Sequence, residues 1–234
     1  MKKQELFDVI KGNVIVSCQA LPDEPLYVEE KSIMYLMARA AKQAGTPAIR
    51  TNSVRDVIAI KEETGLPVIG LIKANYDNSD VYITPTMKEV DQLVEANTDI
   101  VALDCTFSKR LNDTSINTFI REIKEKYPDI VLMADISTYE EGVNAYKCGV
   151  DLVGTTMNGY TKQSIDANIT NLELVSKLSK EISIPVIAEG RIHYPNQVRE
   201  ILDAGAFAVV VGGAITRPLE IAKRFIDAAK GELK

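Results

Sequence analysis

A lysine and a glutamate, each leaving a short apolar run, are residue types that together can move a proton on and off carbon. Lys73 follows the run P-V-I-G-L-I. A lysine that leaves an apolar strand is partly desolvated, which favours the neutral amine and makes it a usable base. Pairing with a carboxylate or a phosphate is its simpler use. Glu189 leaves the run V-I-A in the same way. It can act as an acid or a base, or orient Lys73, while an ion pair with Arg191 or Arg50 needs no chemistry. Asp135, in L-M-A-D-I-S, either binds ligand hydroxyls or caps the helical segment after it. In A-I-R-T-N-S, Asn52 or Ser53 suits a helix N-cap, so Arg50 is the residue that the turn does not explain. Gln19 is the polar residue after the first apolar run, and Asp104 follows another such run as a core or loop-capping group.

A second feature points to an anion. The apolar runs Ile184–Ala188 and Ala206–Val211 end in glycine, Gly190 after the first and Gly212 with Gly213 after the second. Glycine there lets a backbone N–H approach an anion closely. A helix beginning near Pro218 aims its N-terminus at the same place, and Arg217 beside it can grip a phosphate bidentately. Glu189, Arg191 and Arg217 fall on the rim of that site. The expected ligand is therefore a phosphorylated small molecule.

These groups need a scaffold that gathers strand ends. Strand-like runs fall at Val14–Cys18, Ala48–Thr51, Val68–Ile72, Ile100–Leu103, Val131–Ala134, Leu152–Gly154, Val186–Ala188 and Ala208–Val211. Between them lie segments of helical period at Lys31–Ala44, Ser53–Thr64, Met87–Ala96, Ile116–Lys126, Thr138–Cys148, Asn171–Glu181, Pro195–Ala204 and Pro218–Lys230, with an extra amphipathic helix at Lys2–Lys11. Such alternation demands parallel strands with crossover helices. Units of about 29 residues suit an α/β fold of the (β/α)8 TIM-barrel type, one domain over residues 1–234, in which functional groups come from the C-terminal strand ends. Turns such as Q-A-G-T-P-A and K-C-G-V-D-L place a glycine where a left-handed helix cap would return the chain to the sheet.

Composition removes several classes. A net charge of −6 disfavours nucleic acid as the main partner. No window of about 18 apolar residues predicts a membrane span, and the N-terminus has no apolar signal core. Three cysteines at unrelated spacings, Cys18, Cys105 and Cys148, fit a reducing cytoplasm and no metal pattern. The single histidine, His193, reads as a cap or packing residue. One histidine, unclustered cysteines and no repeated D-x-D loop predict no metal, and no dinucleotide fingerprint follows the first strand, so no cofactor is expected.

The runs V-S-C-Q-A-L-P-D-E-P-L, G-L-I-K-A-N-Y-D-N-S-D-V-Y-I-T-P-T, L-M-A-D-I-S-T-Y-E-E-G and I-A-E-G-R-I-H-Y-P, with the tail V-V-V-G-G-A-I-T-R-P, cover most of the polar strand ends. Through them the chain resembles the N-acetylmannosamine-6-phosphate 2-epimerase family of bacterial sialic-acid catabolism, essentially from end to end. The resemblance implies inversion at C2 of the sugar phosphate, with Lys73 taking or returning the C2 proton and Glu189 as its acid/base partner. It implies that Arg50 and Asp135 hold the sugar, with Gln19 a further contact. Gly190, Gly212, Gly213 and Arg217 would hold the 6-phosphate. A homodimer is also implied. The rival readings are a Schiff-base aldolase with Lys73 as nucleophile, an isomerase or synthase for another phosphorylated metabolite, and a silent sugar-phosphate sensor.

Overall fold

The computed structural model describes residues 2–30, 32–164 and 169–232. Eight parallel strands close into a barrel in chain order. They are β1 (Val14–Cys18), β2 (Ile49–Asn52), β3 (Val68–Leu71), β4 (Ile100–Asp104), β5 (Leu132–Asp135), β6 (Leu152–Gly154), β7 (Val186–Glu189) and β8 (Ala208–Val211). Ten helices are described: α1 (Lys3–Ile10), α2 (Met34–Gln43), α3 (Val54–Thr64), α4 (Met87–Glu95), α5 (Ile116–Lys126), α6 (Tyr139–Lys147), α7 (Leu172–Glu181), α8 (Pro195–Asp203), α9 (Gly213–Thr216) and α10 (Pro218–Lys230). The seam between first and last strands pairs Val14 with Val209 and Val16 with Val211. It is fastened by the Thr216 hydroxyl, which donates to the Ser17 carbonyl at 2.7 Å across 199 residues of sequence.

Strand alternation places one set of side chains outward against the helices and the other inward. Val16, Ile49, Val101, Leu103, Leu132 and Ala134 join the buried helix faces. Ile15, Ile69, Leu71, Ile100, Ala102, Met133, Leu152, Ile187, Ala208 and Val210 fill the interior. Leu6 and Ile10 of α1 belong to that inner cluster, so α1 plugs one mouth of the barrel. Because the period is two, the residues two past Ala102, Met133 and Ile187 also face inward: Asp104, Asp135 and Glu189. The uppermost inward layer is thus charged, and the apolar layers beneath it isolate it from water.

Three strand ends and one connection differ from expectation in a way that matters. Asp104, Asp135 and Glu189 do not follow their strands but end them, with Asp104 opposite Asp135 and Glu189 opposite Val210 in the ladder. The chain after β8 also makes an additional turn, α9, before α10 begins. Helix α2 starts at Met34 rather than Lys31, and Lys31 lies outside the described residues. The turn glycines Gly45, Gly65, Gly149 and Gly205 all take left-handed backbone, as a glycine-capped return to the sheet requires.

Candidate active site

The residues after β3 fold back over the barrel mouth. Lys73 bridges Ile83 in antiparallel fashion, and Ala74 N–H donates to the Tyr82 carbonyl at 3.0 Å. The N–H of Lys73 donates to Asn52 Oδ1 at 2.8 Å, tying this turn to the end of β2. Ser53, not Asn52, caps α3 by accepting from Asp56 N–H. The Lys73 amine is therefore held at the rim on a doubly anchored backbone. Burial lowers its pKa, repulsion from Arg217 and Arg50 lowers it further, and Glu189 and Glu24 partly oppose the shift.

Arg50 is the largest fully buried side chain, 1% exposed. Its Nη1 and Nη2 donate to Asp135 Oδ1 and Oδ2 at 3.2 and 2.6 Å, a bidentate pair in a site where neither group meets water. Its Nε lies 3.2 Å from Glu189 Oε2. Burial alone would lower the Arg50 pKa, but Asp135 and Glu189 outweigh it and hold the guanidinium charged. The Thr156 hydroxyl reaches both carboxylates, 2.6 Å from Asp135 Oδ1 and 3.1 Å from Glu189 Oε2. At Gly154 a Cβ would collide with Met133 and crowd Asp135, so glycine there keeps room for the buried pair.

One arginine now faces two carboxylates, and they are not equivalent. Asp135 holds both terminal nitrogens. Glu189 has the weaker, edge-on contact, and burial together with the Asp135 charge pushes it up to about 7 despite Arg50 and Thr156. A carboxyl poised near neutrality can be either acid or base in water at physiological pH.

These groups surround a cavity of about 250 Å³. Gln19, Arg50, Lys73, Glu189, Gly190, Gly212, Gly213 and Arg217 all line it. Asp135 does not: it lies beneath, fully buried against Arg50. Nor does it cap α6, which Thr138 and Glu141 cap as a reciprocal box. Gln19 donates to Ser17 Oγ at 2.9 Å, leaving its buried Oε1 without a protein partner. Gly190 has φ +105° and Arg191 φ +58°, so β7 leaves the barrel through a left-handed turn that exposes backbone to the cavity. Arg217 contacts Glu24 and Glu220. Asp104 accepts from both the N–H and the hydroxyl of Thr106 and is pushed up to about 6 by burial. His193 sits on the cavity wall, with its backbone N–H donating to Gln197. A roomier hollow between Ser137 and Lys177 contains none of the strand-end charges, whereas one of about 620 Å³ beside the loop after β1 shares Lys73 and Tyr82 with the cavity.

Tyr82 and Glu220 line the cavity and escape a reading by strand ends. Tyr82 arrives through the antiparallel fold-back, and burial with the nearby Asp104 and Asp135 pushes its hydroxyl up to about 12. Glu220 looks like a solvated residue on the first turn of α10, whereas Thr156, two residues past β6, belongs to the polar strand ends. Among the described residues no group of three or more His, Cys, Asp or Glu side chains is placed to hold a metal.

A closed parallel barrel with polar groups gathered on one strand-end mouth defines the class, a (β/α)8-barrel enzyme. Residues 34–231 match the NanE family model, described as "Putative N-acetylmannosamine-6-phosphate epimerase". The chain belongs to this family. A relative from Clostridium perfringens, named "Putative N-acetylmannosamine-6-phosphate 2-epimerase", is 52% identical over 225 residues, covering 96% of this chain and 100% of the relative. One of the same name from Caldanaerobacter subterraneus is 48% identical over 228 residues, covering 97% and 95%. The solved structure of the N-acetylmannosamine-6-phosphate 2-epimerase from Clostridium perfringens superposes with a TM-score of 0.90 at 52% identity, over 95% of this chain and 96% of that one. A thiamine phosphate pyrophosphorylase from Pyrococcus furiosus shares the fold alone, with a TM-score of 0.61 at 20% identity over 96% of each chain.

Proposed function

We propose that this chain inverts C2 of N-acetylmannosamine 6-phosphate to give N-acetylglucosamine 6-phosphate. The observation that carries the chemistry is one cavity walled by an amine whose pKa is lowered and a carboxyl whose pKa is raised. Opening the sugar ring exposes the C1 carbonyl and acidifies the C2–H. Neutral Lys73 takes that proton, the pair of electrons moves onto the C1 oxygen, and protonated Glu189 returns a proton to C2 on the opposite face. Arg50 supplies positive charge beside the enolate. Asp135 acts from below, holding Arg50 and keeping Glu189 protonated. Gln19 takes a sugar hydroxyl. The reaction is redox-neutral, and after each turnover protonated Lys73 loses its proton to solvent and ionised Glu189 regains one, which restores the starting state.

The 6-phosphate is assigned to the turns after β7 and β8, against Gly190, Gly212, Gly213 and Arg217. Arg217→Ala is expected to weaken substrate binding by roughly ten- to a hundredfold, the worth of a charge-assisted contact of about 1.5–3 kcal/mol. Steady-state kinetics should show the loss chiefly in KM, and an unchanged kcat/KM would remove Arg217 from the site.

The assignment places the enzyme in amino-sugar breakdown from sialic acids, in a reducing cytoplasm that suits its free thiols. Assembly as a homodimer is supported by α10, which buries no side chain of its own and exposes Leu219, Phe225 and Ile226. The decisive experiment is proton NMR of N-acetylmannosamine 6-phosphate incubated with the protein. Signals of N-acetylglucosamine 6-phosphate should grow in, and their absence at stoichiometric enzyme would reject the reading.

A further inference from the structure

The phosphate-binding turn already holds a carboxylate of the protein's own. Glu220, on the first turn of α10, lies over Gly213 so closely that a Cβ there would collide with its Oε2. Its Oε1 is 3.5 Å from Arg217 Nη1, and it walls the same cavity as Gly190 and Gly212. Arg217 has a second acidic neighbour, Glu24, whose Oε1 lies 2.5 Å from Arg217 Nε. The two carboxylates differ in place. Glu24 accepts from Leu21 N–H at 2.8 Å and belongs to the loop after β1, outside the cavity wall. Glu220 is inside it.

We infer that Glu220 competes with the substrate's phosphate for one seat, so that phosphate binds by exchanging with a carboxylate on Arg217 and Gly213. The inference rests on the reading of this turn as the phosphate cup. A phosphate dianion and the Glu220 carboxylate a few ångströms apart in the cup repel, so each disfavours the other at the Nη1 side of Arg217, while Glu24 stays on its Nε. Glu220 can yield: its side chain is 43% exposed, and it swings into water on a long, flexible stem. The helix start at Pro218 favours negative charge there, which returns Glu220 to the cup after it has been displaced. Substrate and product carry the same 6-phosphate, so a cup that grips it without opposition would also delay product. An internal competitor shortens that delay and gives up affinity in return.

The test is the affinity of the full-length protein for inorganic phosphate, measured calorimetrically and as competitive inhibition of turnover. Glu220→Gln should tighten phosphate binding roughly three- to tenfold, the range of a partly exposed charge contact. It should lower KM for the sugar phosphate in parallel, and product release by stopped flow should slow. Glu24→Gln removes the same charge from the same arginine outside the cup and should not tighten phosphate. Unchanged or weaker binding by Glu220→Gln would overturn the inference, as would equal tightening by Glu24→Gln, which would mean that net charge alone matters. Wild-type protein and Arg217→Ala binding phosphate equally well would instead reject the cup itself, and the inference with it.

Discussion

Lys73→Ala is expected to abolish both epimerisation and exchange of the C2 hydrogen with solvent. Loss of a positioned general base costs about 10²- to 10⁴-fold in kcat. The neighbouring cations do not replace it, because Arg50 and Arg217 are guanidinium groups that stay protonated. Lys73→Arg should fail for the same reason. The wild-type reaction in D₂O should give product with deuterium at C2, since the carboxyl of Glu189 that reprotonates C2 lines a solvent-reached cavity and carries deuterium there. Complete retention of the original hydrogen, together with an active alanine variant, would take the role away from Lys73. Borohydride trapping of substrate on Lys73 would favour the aldolase alternative instead.

Asp135→Asn is expected to destabilise the fold by about 3–5 kcal/mol, the usual cost of removing one member of a buried ion pair and leaving the other charged. Arg50 and Asp135 are 1% and 0% exposed, so solvent screening offers no relief. Urea denaturation at fixed protein concentration reads the loss. A second consequence separates the positioning of chemistry from simple support. The Asp135 charge helps raise Glu189, so its removal frees Arg50 to act on Glu189 alone and lowers that pKa. The limb of the pH–rate profile near pH 7 should therefore move to lower pH in Asp135→Asn and disappear in Glu189→Gln. An unmoved limb in a folded Asp135→Asn protein would leave Asp135 as a structural counter-ion only.

The alternation of apolar runs and helical segments placed the strands to within a residue or two, because each inward layer needs its own apolar side chains and each crossover its own amphipathic face. The rim was legible for the same reason: Lys73, Glu189, Arg50 and Gln19 stand where apolar runs end. Depth was not legible. Asp135 and Glu189 end β5 and β7 in the same way, yet one lies below the cavity and the other on its wall. That difference comes from register and from Thr156 reaching across from β6, neither of which leaves a mark in local sequence. Tyr82 depends on a fold-back between residues ten apart in the chain, and α9, with four residues, is too short to show a helical period. Glu220 was hidden by its ordinariness, since an acidic first turn is a common helix feature whether or not a ligand is near.

The hydrogen bond from Thr216 to Ser17 joins early and late parts of the polypeptide beside the turn after β8, to which the 6-phosphate is assigned. Contacts so distant in sequence carry a large loop-closure cost and form late in folding. The turn after β8 is therefore expected to form late in refolding, after helices and local strand pairs are in place. A phosphorylated ligand that needs the turn after β8 would recognise only the closed ring, so its binding energy would act as a clasp on the joint between β1 and β8.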